Sequence, residues 1–109
     1  MAWDSLIGGV DSCFAKYDIT RDYAWNFEHV PRPLQLEVAP VGGSWHYCGV
    51  PVDSPLGIAA GSLLNGEWLL YYASLGFDIL TYKTVRSCER RSYELPNLQP
   101  IAWDGGEVP

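Results

Sequence analysis

The sequence predicts an α/β fold built on one strand–helix–strand step. Three observations carry this expectation. A short apolar run, Leu56 to Ala60, ends in the small-residue turn Ala59-Ala60-Gly61. Large apolar side chains then recur at helical spacing through Leu64, Trp68, Tyr71, Tyr72 and Leu75. A second apolar run, Phe77 to Tyr82, follows and delivers a lysine, Lys83, at its exit. Short apolar strands flanking a helix point to a parallel sheet buried on both faces. Parallel α/β folds place their chemistry at the carboxyl ends of such strands, where Gly61 and Lys83 stand.

Composition bounds the rest. A chain of 109 residues makes at most one small domain. With 48% hydrophobic residues it has the makings of a core. The net charge of −6 and the lack of a Lys/Arg-rich stripe argue against a nucleic-acid partner. The acidic balance itself reads as a solubility feature. Cys13, Cys48 and Cys88 are odd in number, far apart and without a CxxC. That speaks against a disulfide framework or a structural zinc site and for a reduced, cytoplasmic setting. No run of about 18 apolar residues offers a membrane span. The first residues lack a basic segment leading into a long apolar core, so no signal peptide is expected.

Along the chain, residues 1–45 read as an irregular, aromatic-rich extension or arm. Leu6, Val10 and Phe14 suit a short helix that Gly8 and Gly9 weaken. Asp22 to Pro33 is dense in aromatics, and Pro31 and Pro33 exclude a central strand or a helix interior there. An extended arm or lid packing on a larger body is expected. Val41 to Trp45 reads as a turn or hinge. Residues 46–109 begin with a tight hairpin, His46 to Val52, about Gly49 and Pro51. The strand of Leu56 to Ala60 comes next. Asn65 is placed to cap the helix that follows, Glu67 suits its dipole, and Gly76 is a natural terminator. Phe77 to Tyr82 forms the second strand, with β-branched Ile79 and Thr81. Beyond Val85 the polar stretch RSCERRSYELPNLQP makes a loop at the carboxyl face.

Two positions invite a chemical reading. Ala59, Ala60 and Gly61 leave room for a flat ring to lie on the backbone, whose N–H and C=O groups then read its polar edge. The plain alternative is a tight strand-to-helix turn with no ligand. Lys83 leaves an apolar strand at a half-buried point, where an ammonium needs a partner. It could hold an anionic ligand, reach to solvent, or pair with Glu67 or Asp78. Thr84 offers a hydroxyl beside it, although such a threonine often bonds its own backbone. Arg86, Arg90 and Arg91 with Glu89 read as a solvated loop, with a carboxylate-binding Arg86 as the minor alternative. Cys88 has no histidine near it in sequence and reads as an inert thiol. His29 and His46 lack ligand spacing, so no metal is expected. There is no GxGxxG, Walker A or HExxH pattern.

The pair SPLGIAAG and LGFDILTYKTV resembles the opening of the dihydroorotate dehydrogenase family, over about Cys48 to Val85. The resemblance implies a (β/α)8 barrel with FMN at its carboxyl face, oxidising dihydroorotate to orotate in pyrimidine biosynthesis. It implies flavin contacts for Ala59, Ala60, Gly61, Lys83 and Thr84, and a substrate contact for Lys83. The catalytic base and the phosphate-binding turns of that family lie later than Pro109. This chain is therefore expected to be the N-terminal fragment of a longer protein, with the first hairpin and the first two βα steps, inactive alone. A homodimer is in keeping with the resemblance. Membrane-associated, quinone-using members place lysine where this chain has Leu64 and glycine where it has Lys83. Soluble members carry lysine at the second position. The site thus resembles the soluble class, while SPLGIAAG and the Asn-Gly-Glu of Asn65 to Glu67 resemble the other. The pattern also extends to the related dihydropyrimidine dehydrogenase-type flavin barrels. A different class of reading is a non-catalytic interaction module or barrel remnant, using Tyr23, Trp25 and Phe27 to bind a partner.

Overall fold

A computed structural model describes residues 16–99, 102 and 104–106. The short helix expected around Leu6, Val10 and Phe14, and Cys13 with it, lies outside the described residues. The described chain is a small α/β unit with two two-stranded sheets.

The extended, irregular arm expected ahead of the hairpin is corrected over its central part. Tyr23–Glu28 is an α-helix, α1. Asp22 caps it, its carboxylate accepting the Trp25 N–H at 2.9 Å. The helix ends at His29, whose N–H reaches the Trp25 carbonyl at 3.0 Å. Pro31 disfavours a helical Val30, so the chain straightens there. The two prolines thus end the helix without preventing the turns before them. Asn26 is fully buried under the preceding loop. Its amide donates to the carbonyls of Asp18 at 3.0 Å and Asp22 at 2.9 Å, and its Oδ1 accepts the Asp18 N–H at 2.8 Å.

The hairpin forms as β1 (Trp45–Tyr47) and β2 (Val50–Val52), antiparallel, with Trp45 opposite Val52 and Tyr47 opposite Val50. Its turn is Cys48-Gly49, at φ 49° and 79°, the left-handed pair that matches strand twist in two-residue hairpins. Pro51 sits inside β2 opposite His46 and takes no part in the turn.

The strand–helix–strand step is present. Gly57–Ile58 (β3) runs parallel to Ile79–Leu80 (β4), with Gly57 opposite Ile79. Pairing extends one residue past each strand: Ile79 N–H donates to the Leu56 carbonyl at 3.4 Å and Thr81 N–H to that of Ile58 at 3.1 Å. Glycine is required at 57, because a Cβ there would stand 2.6 Å from the Ile79 carbonyl oxygen. A 3-10 turn, Ala60–Ser62, ends β3 earlier than the expected Ala60.

Helix α2, Gly66–Ser74, connects the strands. Asn65 caps it by accepting the Trp68 N–H at 3.1 Å, and Glu67 lies in its first turn. It closes in a Schellman arrangement: Gly76 N–H reaches the Ala73 carbonyl at 3.0 Å and Phe77 N–H that of Tyr72 at 3.4 Å, with Gly76 at φ 91°. The expected stripe is its inner face. Leu64, Trp68 and Tyr71 are buried with Leu63, and Tyr72 and Leu75 are packed against them. Trp68 meets Tyr71 edge-on at 6.1 Å between ring centroids. Tyr17, Tyr23, Val30 and Leu34 cover the same cluster, so the residues around α1 close the core over α2. Tyr23 is committed to this packing, while Phe27 stays 43% exposed.

Candidate functional site

The ends of β3 and β4 are drawn together beyond the ladder. Lys83 N–H donates to the Leu63 carbonyl at 3.0 Å, and Leu63 N–H donates to that of Ala60 at 3.3 Å. This ties the turn carrying Ala59, Ala60 and Gly61 to the exit of β4. The backbones of the turn and of Lys83-Thr84 therefore share the carboxyl end of the sheet. Ala59, Gly61 and Thr84 are exposed, and Ala60 and Lys83 are half-buried. A Cβ built on Gly61 would meet nothing within 4 Å, so the turn presents an open surface.

Lys83 has an environment close to that read from its place after the apolar run. Its two structural ion-pair candidates are not used. Asp78 faces the other way, its Oδ2 accepting the N–H groups of Asp53 at 2.6 Å and Ser54 at 2.9 Å. Among the described residues Lys83 forms no ion pair with Glu67 or with any other carboxylate. Asp78 thus pins the hairpin exit to the start of β4 and does not serve the Lys83 ammonium.

The loop beyond carries Arg86, Glu89, Arg90 and Arg91, all exposed, with the Arg90 guanidinium 5.8 Å from the centroid of the Tyr93 ring. Cys48 and Cys88 are free and exposed. His29 stacks on Trp25 at 4.1 Å, and its Nδ1 lies 2.8 Å from the Trp25 carbonyl, so that nitrogen carries the proton and donates. Among the described residues no group of three or more His, Cys, Asp or Glu side chains could hold a metal ion. No described helix is long and apolar enough to cross a membrane.

Among the described residues two groups have shifted pKa values, Asp18 and Tyr72, and both lie off this surface. Hydrogen bonds from the hydroxyl and N–H of Thr20 hold the Asp18 carboxyl below the usual range. Burial, with a smaller contribution from Tyr71, pushes the Tyr72 phenol up. An open apolar groove of about 510 Å³ is lined by Leu36, Glu37, Val38, Leu75 and Phe77. It sits at the carboxyl end of α2, and hence at the opposite end of the step from Lys83.

Sequence reasoning missed two anchors of this surface. Asn65 is legible as a cap, yet its Nδ2 also donates to the Phe27 carbonyl at 3.0 Å. Trp68 is legible as core, yet its indole N–H donates to the Asn26 carbonyl at 2.9 Å. Both partners are backbone atoms some forty residues away, which no local pattern announces.

The open turn at Gly61, the half-buried Lys83 and the exposed Thr84 hydroxyl together form a set suited to a planar ring with carbonyl or anionic edges. The chain is thus an α/β protein with a βαβ step and a cationic carboxyl face. Over 52 residues it is 42% identical to a protein named dihydroorotate dehydrogenase from Dictyostelium discoideum. The match covers 48% of this chain and 14% of that relative's length. It supports a relationship to the dihydroorotate dehydrogenases. No family model matches the chain, and no solved structure does.

Proposed function

We propose that this chain forms the opening wall of the active face of an FMN-dependent oxidoreductase that converts dihydroorotate to orotate. The observation that carries this reading is the identity of 42% over 52 residues to a dihydroorotate dehydrogenase, joined to a βαβ step whose strand exits hold an open turn and a half-buried lysine. In the whole protein the step opens a (β/α)8 barrel: residues 1–45 are the extension and residues 46–109 the barrel's start. The setting is cytoplasmic.

Ala59, Ala60 and Gly61 give a side-chain-poor surface on which an isoalloxazine ring lies. Glycine at 61 matters because any larger residue would project into that open space. FMN held on Ala59, Ala60, Gly61, Lys83 and Thr84 would supply the hydride acceptor for dihydroorotate. Lys83 holds a positive charge at the strand exit and stabilises negative charge on the ligand edge or on the substrate carboxylate. Its half-burial keeps that charge in a medium of lower dielectric than water, where it acts more strongly. Thr84 donates its hydroxyl to a ligand carbonyl or ribityl oxygen. The base that takes the substrate proton lies outside this chain.

The test is the flavin content of the complete protein that continues this chain. One FMN per polypeptide is expected, and the 109-residue chain alone should not retain it at that ratio. A colourless complete protein that takes up no FMN overturns the proposal.

A further inference from the structure

We infer that Asn65 is a positioning residue that couples the α1 segment to the candidate site, so that residues around α1 buttress the turn of Ala59, Ala60 and Gly61. The inference about coupling stands on geometry alone; its consequence for a ligand rests on the function proposed above.

One short segment, residues 59–65, carries the candidate ring-binding turn, and it is held at two points. At Leu63 its carbonyl accepts the Lys83 N–H at 3.0 Å, fixing it to the exit of β4. At Asn65 one side-chain amide works in two directions. Its Oδ1 accepts the Trp68 N–H at 3.1 Å and caps α2, while its Nδ2 donates to the Phe27 carbonyl at 3.0 Å in α1. Phe27 lies in the last turn of α1, where carbonyls lack intrahelical partners, so the bond satisfies an acceptor the short helix leaves open. A second link runs parallel to it, from the Trp68 indole N–H to the Asn26 carbonyl at 2.9 Å. Leu63 itself and Leu64 next to it, at 0% and 3% exposure, leave the segment little freedom to move alone. Displacing α1 therefore pulls on Asn65, and through Leu63 on the amide of Lys83.

The two jobs of Asn65 are chemically separable. Aspartate caps a helix about as well as asparagine, but has no N–H to give. Asn65→Asp keeps the cap of α2 and removes the latch to Phe27, placing a carboxylate oxygen against a carbonyl. Trp68→Phe removes the parallel link while keeping an aromatic ring in the core, and serves if Asn65→Asp folds poorly.

Residue-resolved amide exchange on the chain itself tests the coupling without any ligand. In Asn65→Asp, protection of the α1 amides and of the Lys83 amide should fall together, by about tenfold for one lost hydrogen bond. The amides of the middle of α2 should keep theirs. Loosening of α1 with the Lys83 amide unchanged, or no change at either place, overturns the inference. In the complete protein the same variant should bind FMN several-fold more weakly with Lys83 intact. Failure of the wild-type protein to bind FMN would sink the flavin reading alone, whereas uncoupled exchange would sink the buttress alone.

Discussion

Gly57→Ala tests the central structural step, the close parallel approach of β3 and β4. A Cβ at position 57 would stand 2.6 Å from the Ile79 carbonyl oxygen and 2.9 Å from the Ile79 Cβ. Both obstacles belong to the paired strand, so no side-chain rotation relieves them. The strands must part, and the ladder has little slack: the Ile79 N–H to Leu56 bond is already 3.4 Å long. Overpacking of this kind costs about 1–3 kcal/mol, and one weakened ladder bond adds about 1 kcal/mol. The lower entropy of an unfolded chain with alanine returns about 0.4–1 kcal/mol. A net loss of ~2 kcal/mol lowers the midpoint of a thermal unfolding curve by roughly 8–16 °C in a domain of this size. Circular dichroism melts of both proteins measure it. Gly61→Ala is the control: its Cβ meets nothing within 4 Å and its φ is not in the left-handed region, so the midpoint should hold or rise slightly. A Gly57→Ala midpoint within a degree of the wild type would show that β3 and β4 do not approach as described.

Gly76→Ala should cost about 1–2 kcal/mol from the left-handed φ of 91° alone, and more from a Cβ that would come 2.6 Å from Val38 Cγ1. Chemical denaturation gives the value, and an unchanged midpoint would mean the Schellman turn is not formed. Asp18 has its folded pKa held below the ordinary carboxylate value by Thr20, so the stability it adds is present above the unfolded value and is lost as pH falls through the folded one. An NMR titration of Thr20→Val, which removes the hydroxyl and keeps the backbone N–H, should find the Asp18 carboxyl moved part of the way back up towards its ordinary value; no upward movement would rule out the Thr20 hydroxyl bond as a cause. In the complete protein, Cys88→Ser should leave turnover unchanged, since Cys88 is a free, exposed thiol with no histidine near it in sequence. A large loss of turnover would make it a participant.

The helix of the central step was legible because its signals are local. Asn65, Glu67, the stripe from Leu64 to Leu75, and Gly76 each act within a few residues of where they stand. The hairpin was legible for the same reason, although its turn falls on Cys48-Gly49 and Pro51 joins the strand. The strands are shorter than the apolar runs that announced them, because the 3-10 turn from Ala60 takes over the end of the first run. Helix α1 was missed by giving Pro31 and Pro33 weight over residues upstream of them. Asp22 caps this helix and Asn26 ties it to the loop before it, through the carbonyls of Asp18 and Asp22, a side-chain-to-backbone network that the aromatic content and the prolines do not signal. Of the candidate site, the position of Lys83 at a half-buried strand exit could be read from the sequence. That Asp78 does not pair with it could not, since that depends on Asp78 being occupied by the N–H groups of Asp53 and Ser54.

The most direct test of the proposed active face is the anaerobic reaction of the complete flavin-loaded protein with dihydroorotate, followed by absorbance in a stopped-flow instrument. In the wild type the oxidised flavin band should bleach. In Lys83→Ala, with flavin content matched, bleaching should slow by about a hundredfold, the scale for removing one charge-stabilising donor from an active site. Bleaching at the same rate in both proteins, or none in the wild type, would contradict the assignment of this surface.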